Sequence, residues 1–210
     1  MQWWRWIVCV IGLGLMAGHS LWADEGLAPV SDSGYTGLAL AVVGDLSADQ
    51  VERVRAFMEL NTAIPVTLRE TDAIEADTLG GVADALVDLR DPADAALILL
   101  YAGEQDFAEH AVYRYEQGVG IINARLMRTE DEEIFLRRLE RLGMRSAGLL
   151  LDVPLVPNPQ SAMWTYQTME HLDFMGRNFD PPSLKAIQEN AQALGIRLNE
   201  DSPFLIIRSP

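Results

Sequence analysis

The chain has 210 residues, of which 49% are hydrophobic, and its formal net charge is −15. This length is enough for one domain with a buried core, and the hydrophobic content excludes a disordered chain. The negative charge argues against binding to nucleic acid or to anionic membrane surfaces, because both would repel it.

The first 23 residues predict a secretory signal peptide. Arg5 precedes an apolar run at 6–18, which is too short to span a bilayer comfortably, and a cleavage site follows Ala23. The alternative is an uncleaved N-terminal anchor, which would be the only contact with a membrane. Cleavage would remove Cys9, the only cysteine, so the mature protein would contain no disulfide. We therefore expect an exported protein that is periplasmic or extracellular.

Residues 24–36 are rich in Gly, Ser and Asp and predict a linker, which leaves a single domain at 37–210. The domain begins with a predicted β-α-β-α-β order, because apolar runs that indicate buried strands alternate with helical apolar stripes. The predicted strands are 37–43, 64–68 and 95–101, the last of them central. The first predicted helix begins at a capping box of Ser47 and Gln50, and the second spans 78–89. This order is typical of an α/β sheet with packed helices.

Two more strands are predicted after residue 110. The first is a solvent-facing edge strand with alternating side chains, formed by Val112, Tyr113, Arg114 and Tyr115. The second, at 119–122, is apolar and follows a turn at Gly118.

A long amphipathic helix is predicted next. It begins at a capping box of Thr129 and Glu132 and ends in the apolar run 149–151. Prolines 154, 157 and 159 prevent its continuation. The remaining chain predicts a short helix or loop at 164–173, a last helix at 182–194 and a terminal apolar strand at 203–208.

The helix and the proline loop resemble the active-site region of the archaemetzincins, a branch of the metzincin zinc proteases. That family carries H-E-x-x-H-x-x-G-x-x-H followed by C-P-N-P-x-C-x-M. The resemblance rests on the P-N-P run at 157–159, on Met163 at the methionine of the Met-turn, and on the segment 178–183. It covers residues 37–195. The implied fold class is α/β (α+β), a metzincin-like mixed twisted sheet with packed helices and a central former active-site helix.

The resemblance also implies that the zinc chemistry has been lost. Arg145, Leu149 and Leu155 stand at the three zinc histidines, and Ser146 stands at the general-base glutamate. Zinc needs imidazole, thiolate or carboxylate ligands, with a carboxylate base beside the bound water. Asp152 stands at the glycine of the motif, and the family's cysteine positions hold Val156, Ser161, Asp180 and Ser183. We therefore expect a pseudoprotease without a metal or other cofactor.

Three hypotheses of function follow. The first is an exported, inactive protein that binds a peptide or protein along the edge strand at 112–115, with leucines 149, 151 and 155 filling the former cleft. The second is an active peptidase or hydrolase with a non-standard site, for which the available acids and bases are Glu109, His110, Glu170 and His171. The third is an exported structural protein whose resemblance is accidental. None of the three specifies an oligomeric state.

Overall fold

The computed structural model describes residues 34–207, which form a five-stranded sheet covered by helices. The strands are β1 (Gly37–Gly44), β2 (Val66–Arg69), β3 (Asp94–Ala102), β4 (Ala111–Arg114) and β5 (Val119–Asn123). The helices are α1 (Ala48–Thr62), α2 (Leu79–Leu89), α3 (Ala124–Met127), α4 (Glu132–Leu150), α5 (Met169–Phe174) and α6 (Pro181–Ala193). The predicted signal peptide and most of the predicted linker lie outside the described residues. Within 34–207, none of the helices has the length and apolar character to cross a membrane.

The strand order in the sheet is β2-β1-β3-β5-β4. Strands β2, β1, β3 and β5 are parallel, whereas β4 runs antiparallel to β5 at one edge. All nine residues of β3, the central strand, are buried. A strand covered on both faces reads as a continuous apolar run, so the prediction of β1 and β3 from such runs is confirmed.

Helices α1 and α2 pack on opposite faces of the sheet. Leu38 and Leu40 of β1 join the core that contains α1, α4 and α6, whereas Ala39 and Ala41 join the smaller core that contains α2. Successive side chains of a strand point to opposite faces, which explains this division. The mixed α/β class predicted from the sequence is confirmed, as is the capping box that begins α1 at Ser47 and Gln50.

The predicted start of the long helix is wrong. Helix α4 begins at Glu132, and its N-cap is Asp131, whose carboxylate accepts a hydrogen bond of 3.1 Å from the backbone N–H of Ile134. The short helix α3 ends at Met127 with Arg128 as its C-cap, so the exposed Thr129 lies in the connection between two helices and does not cap α4.

The predicted terminal strand is also wrong, because residues 203–207 form turns. The buried side-chain amide of Gln188 in α6, rather than a neighbouring strand, binds the backbone of this segment. Its Nε2 donates to the carbonyl oxygen of Phe204 at 2.9 Å, and its Oε1 accepts from the N–H of Ile206 at 2.9 Å. One side chain therefore satisfies the polar backbone groups that the sheet would otherwise have to pair.

Candidate functional site

The candidate site begins where α4 ends. Asp152 has a left-handed backbone with φ of 56°, and the N–H of Val153 donates back to the carbonyl oxygen of Gly148 at 2.8 Å. The N–H of Asp152 donates to the carbonyl oxygen of Leu149 at 3.3 Å. These two bonds form a Schellman motif, in which glycine is the most common left-handed residue. The motif turns the chain sharply out of α4.

The proline loop then returns beneath α4. Asn158 shapes its turn, because its side-chain oxygen accepts from the N–H of Gln160 at 3.0 Å and its carbonyl oxygen accepts from the N–H of Ser161 at 3.1 Å. The N–H of Val156 donates to the carbonyl oxygen of Met163 at 3.1 Å, which closes the loop. Met163 is completely buried. The loop therefore places a methionine under the helix that precedes it.

Ser161 fastens this loop to the start of α6. Its buried hydroxyl donates to the carboxylate of Asp180 at 2.9 Å and accepts from the N–H of Met163 at 3.2 Å. The resemblance assigned both Ser161 and Asp180 to cysteines of the family. In this chain the two side chains form a hydrogen bond instead.

Arg145 of α4 belongs to a stack of side chains that reaches the start of β4. Its guanidinium donates to the carbonyl oxygen of Trp164 at 2.6 Å and lies 5.6 Å from the ring centroid of Tyr166. The ring of Tyr166 stacks on His110, with centroids 6.0 Å apart and an interplanar angle of 10°. Burial raises the pKa of Tyr166. The stack joins Arg145 to the residue that precedes β4.

Ser146, the next residue of α4, contacts the edge strand directly. Its buried hydroxyl lies 3.0 Å from the phenolic oxygen of Tyr113. Burial raises the pKa of Tyr113 to about 12, although the hydrogen bond with Ser146 acts in the opposite direction. Tyr113 is therefore a neutral phenol at physiological pH, and it can both donate and accept a hydrogen bond.

The three leucines occupy different surroundings. Leu151 is buried and Leu149 is half-buried, but Leu155 is 48% exposed. The prediction that all three fill the former cleft is therefore wrong for Leu155. The left-handed turn at Asp152 and the following proline direct the chain away from the helix before residue 155.

These residues do not fit a zinc site. A guanidinium and two aliphatic side chains offer no lone pair to a metal ion at the three positions where the resemblance places histidines. The residues of the alternative hydrolase hypothesis are not assembled either. His110 stacks on Tyr166, and His171 packs against Trp164 at 5.5 Å. Between residues 34 and 207, no three His, Cys, Asp or Glu side chains lie close enough together to hold a metal ion.

Strand β4 presents a free edge beside this region. The N–H of Asn123 donates to the carbonyl oxygen of His110 at 2.9 Å, which fixes the alternation of the antiparallel ladder. In that alternation the backbone groups of Val112 and Arg114 face β5, whereas those of Ala111 and Tyr113 face outward. Within the described part of the chain, no backbone hydrogen bond satisfies these outward groups.

The side chains of β4 are less exposed than predicted. Tyr113 contacts Ser146 on one face, and Arg114 on the other face donates to Asp84 of α2 at 2.7 Å. Tyr115 lies beyond the strand and is 58% exposed. The strand is at the edge of the sheet, but it is not solvent-facing, because helices cover both of its faces. Its ability to bind a peptide stays a prediction.

At the opposite edge of the sheet, side chains satisfy the outward backbone groups of Val66. In β2, the outward N–H of Val66 donates to the carboxylate of Glu59 at 3.1 Å, and its carbonyl oxygen accepts from the guanidinium of Arg55 at 3.2 Å. Arg55 and Glu59 also pair with each other at 2.7 Å. This pair, the β2 clip, occupies the positions that an added strand would use. The two edges of the sheet therefore differ in their capacity to accept another strand.

Sequence reasoning missed Trp164 and Tyr166, which bind and stack on Arg145. Their only sequence signal is the alternation of large aromatic and polar residues directly after Met163. This alternation places both on one side of an extended segment that runs past the end of α4.

Three solved structures have a similar fold. The first is an archaemetzincin from Methanopyrus kandleri, which is 15% identical with a TM-score of 0.63 over 78% of this chain and 99% of that chain. The second is a zinc-dependent peptidase from Methanocorpusculum labreanum (strain Z), which is 16% identical with a TM-score of 0.62 over 72% of this chain and 100% of that chain. The third is an archaemetzincin from Archaeoglobus fulgidus complexed with malonate, which is 9% identical with a TM-score of 0.58 over 71% of this chain and 98% of that chain.

No family model matches the chain, and no curated protein matches it. At these identities the similarity is one of fold. The chain has an archaemetzincin-like fold, as the motifs at 157–163 and 178–183 predicted.

Proposed function

We propose that this protein is an exported, catalytically inactive protein with a zinc-peptidase fold, which binds an extended peptide segment of a protein partner along the free edge of β4. The observation that carries this proposal is the difference between the two sheet edges. The β2 clip satisfies the outward backbone groups of Val66 at one edge, whereas in the described part of the chain the outward backbone groups of Ala111 and Tyr113 at the other edge form no backbone hydrogen bond.

The free edge offers a defined set of main-chain contacts. Ala111 and Tyr113 each present one N–H and one carbonyl group, so a three-residue extended segment can form up to four hydrogen bonds with them. Each exposed side chain near this edge can then contribute to selection of the partner. The exposed Tyr115, which directly follows β4, is suitable for an apolar contact.

The inactivity follows from the chemistry of α4. A zinc peptidase needs a carboxylate base beside its metal-bound water, and the corresponding position holds Ser146, whose hydroxyl is already engaged by Tyr113. Arg145 places a positive charge where a neutral ligand is needed. Export is supported by the sequence of residues 1–23, which have the features of a signal peptide.

The test compares single proline substitutions at the two edges, with residues 24–210 as the mature protein. Ala111→Pro removes an outward N–H of β4, and an edge strand tolerates proline there because the ladder to β5 is kept. Leu68→Pro is the matched control, because the parallel register orients its N–H away from β1. The measurement is binding to an immobilised library of extended peptides, after circular dichroism has shown that both variants are folded.

We expect Ala111→Pro to weaken binding of the selected peptides by about tenfold, which is the value of one good hydrogen bond, and Leu68→Pro to leave it unchanged. Elemental analysis for zinc and a cleavage assay on the same library test the inactive assignment. Stoichiometric zinc with peptide cleavage would overturn that assignment, and equal binding by the wild type and Ala111→Pro would overturn strand addition at β4.

A further inference from the structure

A second candidate site lies between the carboxyl ends of β1 and β3. A cavity of about 550 Å³ opens there, lined by these strand ends, by residues 71–75 and by residues 103–105. We call it the switch-point cavity. Its volume is in the range of small-molecule sites.

The topology explains why the sheet opens at this point. From β1 the chain continues through α1 on one face to β2, and from β2 it returns through α2 on the opposite face to β3. After β3 the chain continues to β4 and β5, which lie on the side of the sheet opposite to β2. The connections after β1 and β3 therefore leave in different directions, so a crevice remains outside their carboxyl ends. Open α/β sheets bind ligands at such topological switch points.

Tyr101 supplies a polar group to the wall of this cavity. The residue is only 2% exposed, and its ring packs against Phe107 with centroids 5.1 Å apart. The phenolic oxygen lies beside Gly103, where a Cβ atom would stand only 2.7 Å from it. Between residues 34 and 207 no side chain or backbone group forms a hydrogen bond with this hydroxyl. The buried ring therefore holds its hydroxyl at the wall of the cavity, where water or a ligand can bind it.

The charges around the cavity define the class of ligand. Its lining contains the carboxylates of Glu75 and Glu104 and no Lys, Arg or His. Neither carboxylate forms an ion pair within the described residues. The nearby Arg125 donates to the carbonyl oxygens of Gly103 and Glu104, and its charge is already paired with Asp106 at 2.7 Å.

The aliphatic part of the wall is formed by Val42, Val43 and Ile74, and the polar residues Thr71 and Gln105 complete the lining. Among residues 34–207, no three His, Cys, Asp or Glu side chains lie close enough together to hold a metal ion, and the cavity contributes only two such side chains. Two unpaired acids, one hydroxyl and an aliphatic wall instead match an ammonium or guanidinium group on a short hydrocarbon body. We propose that the switch-point cavity binds a small organic cation of this kind.

The experiment uses three probes of the same size and different charge. Butylamine, butanol and butyrate are titrated into the isotopically labelled mature protein, and chemical-shift changes are followed by NMR. We expect saturable shifts of the Tyr101 and Gly103 amide signals with butylamine only. The variant Glu75→Gln/Glu104→Gln is expected to raise the dissociation constant at least about tenfold, because two charge-assisted contacts are lost.

Two further variants separate this site from general attraction to an acidic protein. Tyr101→Phe keeps the buried ring and is expected to weaken butylamine binding at least about threefold. Glu116→Gln removes an exposed carboxylate on the β4–β5 turn and is expected to have no effect. Equal binding of butylamine and butyrate, or an equal loss in Glu116→Gln, would overturn the proposal. Ala111→Pro should not alter butylamine binding, so this test stands apart from that of the β4 edge.

Discussion

Met163 lies directly against Gly148 of α4, and a Cβ atom at Gly148 would stand only 2.5 Å from the methionine sulfur. Phe179 closes the same contact from the segment before α6, because the same Cβ atom would be 3.1 Å from its ring. The glycine in the last turns of α4 is therefore required by packing. It allows the buried methionine of the proline loop to approach the helix backbone.

Gly148→Ala is expected to lower the free energy of unfolding by about 2 kcal/mol, because overpacking in a filled core outweighs the higher helix propensity of alanine. Urea denaturation measures the change. Gly80→Ala in the first turn of α2 is the control, since its nearest contact would be 3.4 Å from a flexible Arg114 nitrogen. It should be neutral or stabilising by up to about 1 kcal/mol. Equal effects of both substitutions would show that Met163 does not pack closely on α4.

The pKa of Tyr113 predicts a loss of stability at alkaline pH. Burial raises the pKa of Tyr113 from 10.0 to about 12. The unfolded chain therefore releases this proton first, and the contribution of Tyr113 to the free energy of unfolding should be constant below pH 10 and decrease as the pH rises towards 12. A difference of two pKa units corresponds to about 2–3 kcal/mol at the end of this range.

Denaturation curves of wild type and Tyr113→Phe between pH 8 and pH 12 test this expectation. The variant should lose the hydrogen bond to Ser146, about 1 kcal/mol at neutral pH, but its stability should fall less steeply above pH 10. Tyr115→Phe removes an exposed hydroxyl and should follow the wild type. Parallel curves for wild type and Tyr113→Phe would contradict burial of the Tyr113 phenol.

The sequence was most informative where the structure depends on local rules. Strands β1 and β3 were predictable because burial on both faces leaves a continuous apolar run, and the start of α1 was predictable because Ser47 and Gln50 cap each other. At α4 two local signals overlapped. Thr129 and Asp131 are both N-cap residues by type, and the choice between them depends on where α3 ends, which no local pattern shows.

The site depends more on tertiary contacts. The resemblance that rests on the P-N-P run assigned Met163 to a Met-turn, and the structure packs this residue against α4. The contact between Tyr113 and Ser146 joins residues 33 positions apart, and the stack of Arg145 on Tyr166 needs the loop to be folded. The β2 clip was not predictable either, because Arg55 and Glu59 have the spacing of an ordinary ion pair on a helix.

Glu140 is expected to be essential for stability. Its carboxylate is 2% exposed and bridges two arginines, Arg53 at 2.9 Å and Arg177 at 2.7 Å, which joins α1 to α4 and to the segment before α6. Glu140→Gln removes the buried anion that two partly exposed guanidinium groups share, although Arg53 keeps its pair with Glu133, and should cost about 2 kcal/mol.

Glu189→Gln is the matched control for that substitution. Glu189 pairs with Lys185 at 3.4 Å, and both side chains are more than half exposed, so its loss should cost less than about 0.5 kcal/mol. Urea denaturation of both variants measures the difference. A cost for Glu140→Gln no larger than that for Glu189→Gln would mean that the bridge does not hold these elements together.

Removal of the β2 clip should give the sheet a second open edge. The double variant Arg55→Ala/Glu59→Ala leaves the outward N–H and carbonyl group of Val66 unsatisfied, and an unpaired edge strand is a template for another chain. We expect self-association that increases with protein concentration, measured by sedimentation velocity. Glu52→Ala is the control, because it removes another exposed partner of Arg55 but leaves both bonds to Val66 in place. If the double variant sediments like Glu52→Ala at every concentration, the clip does not protect β2, and the contrast between the two edges loses its significance for strand addition at β4.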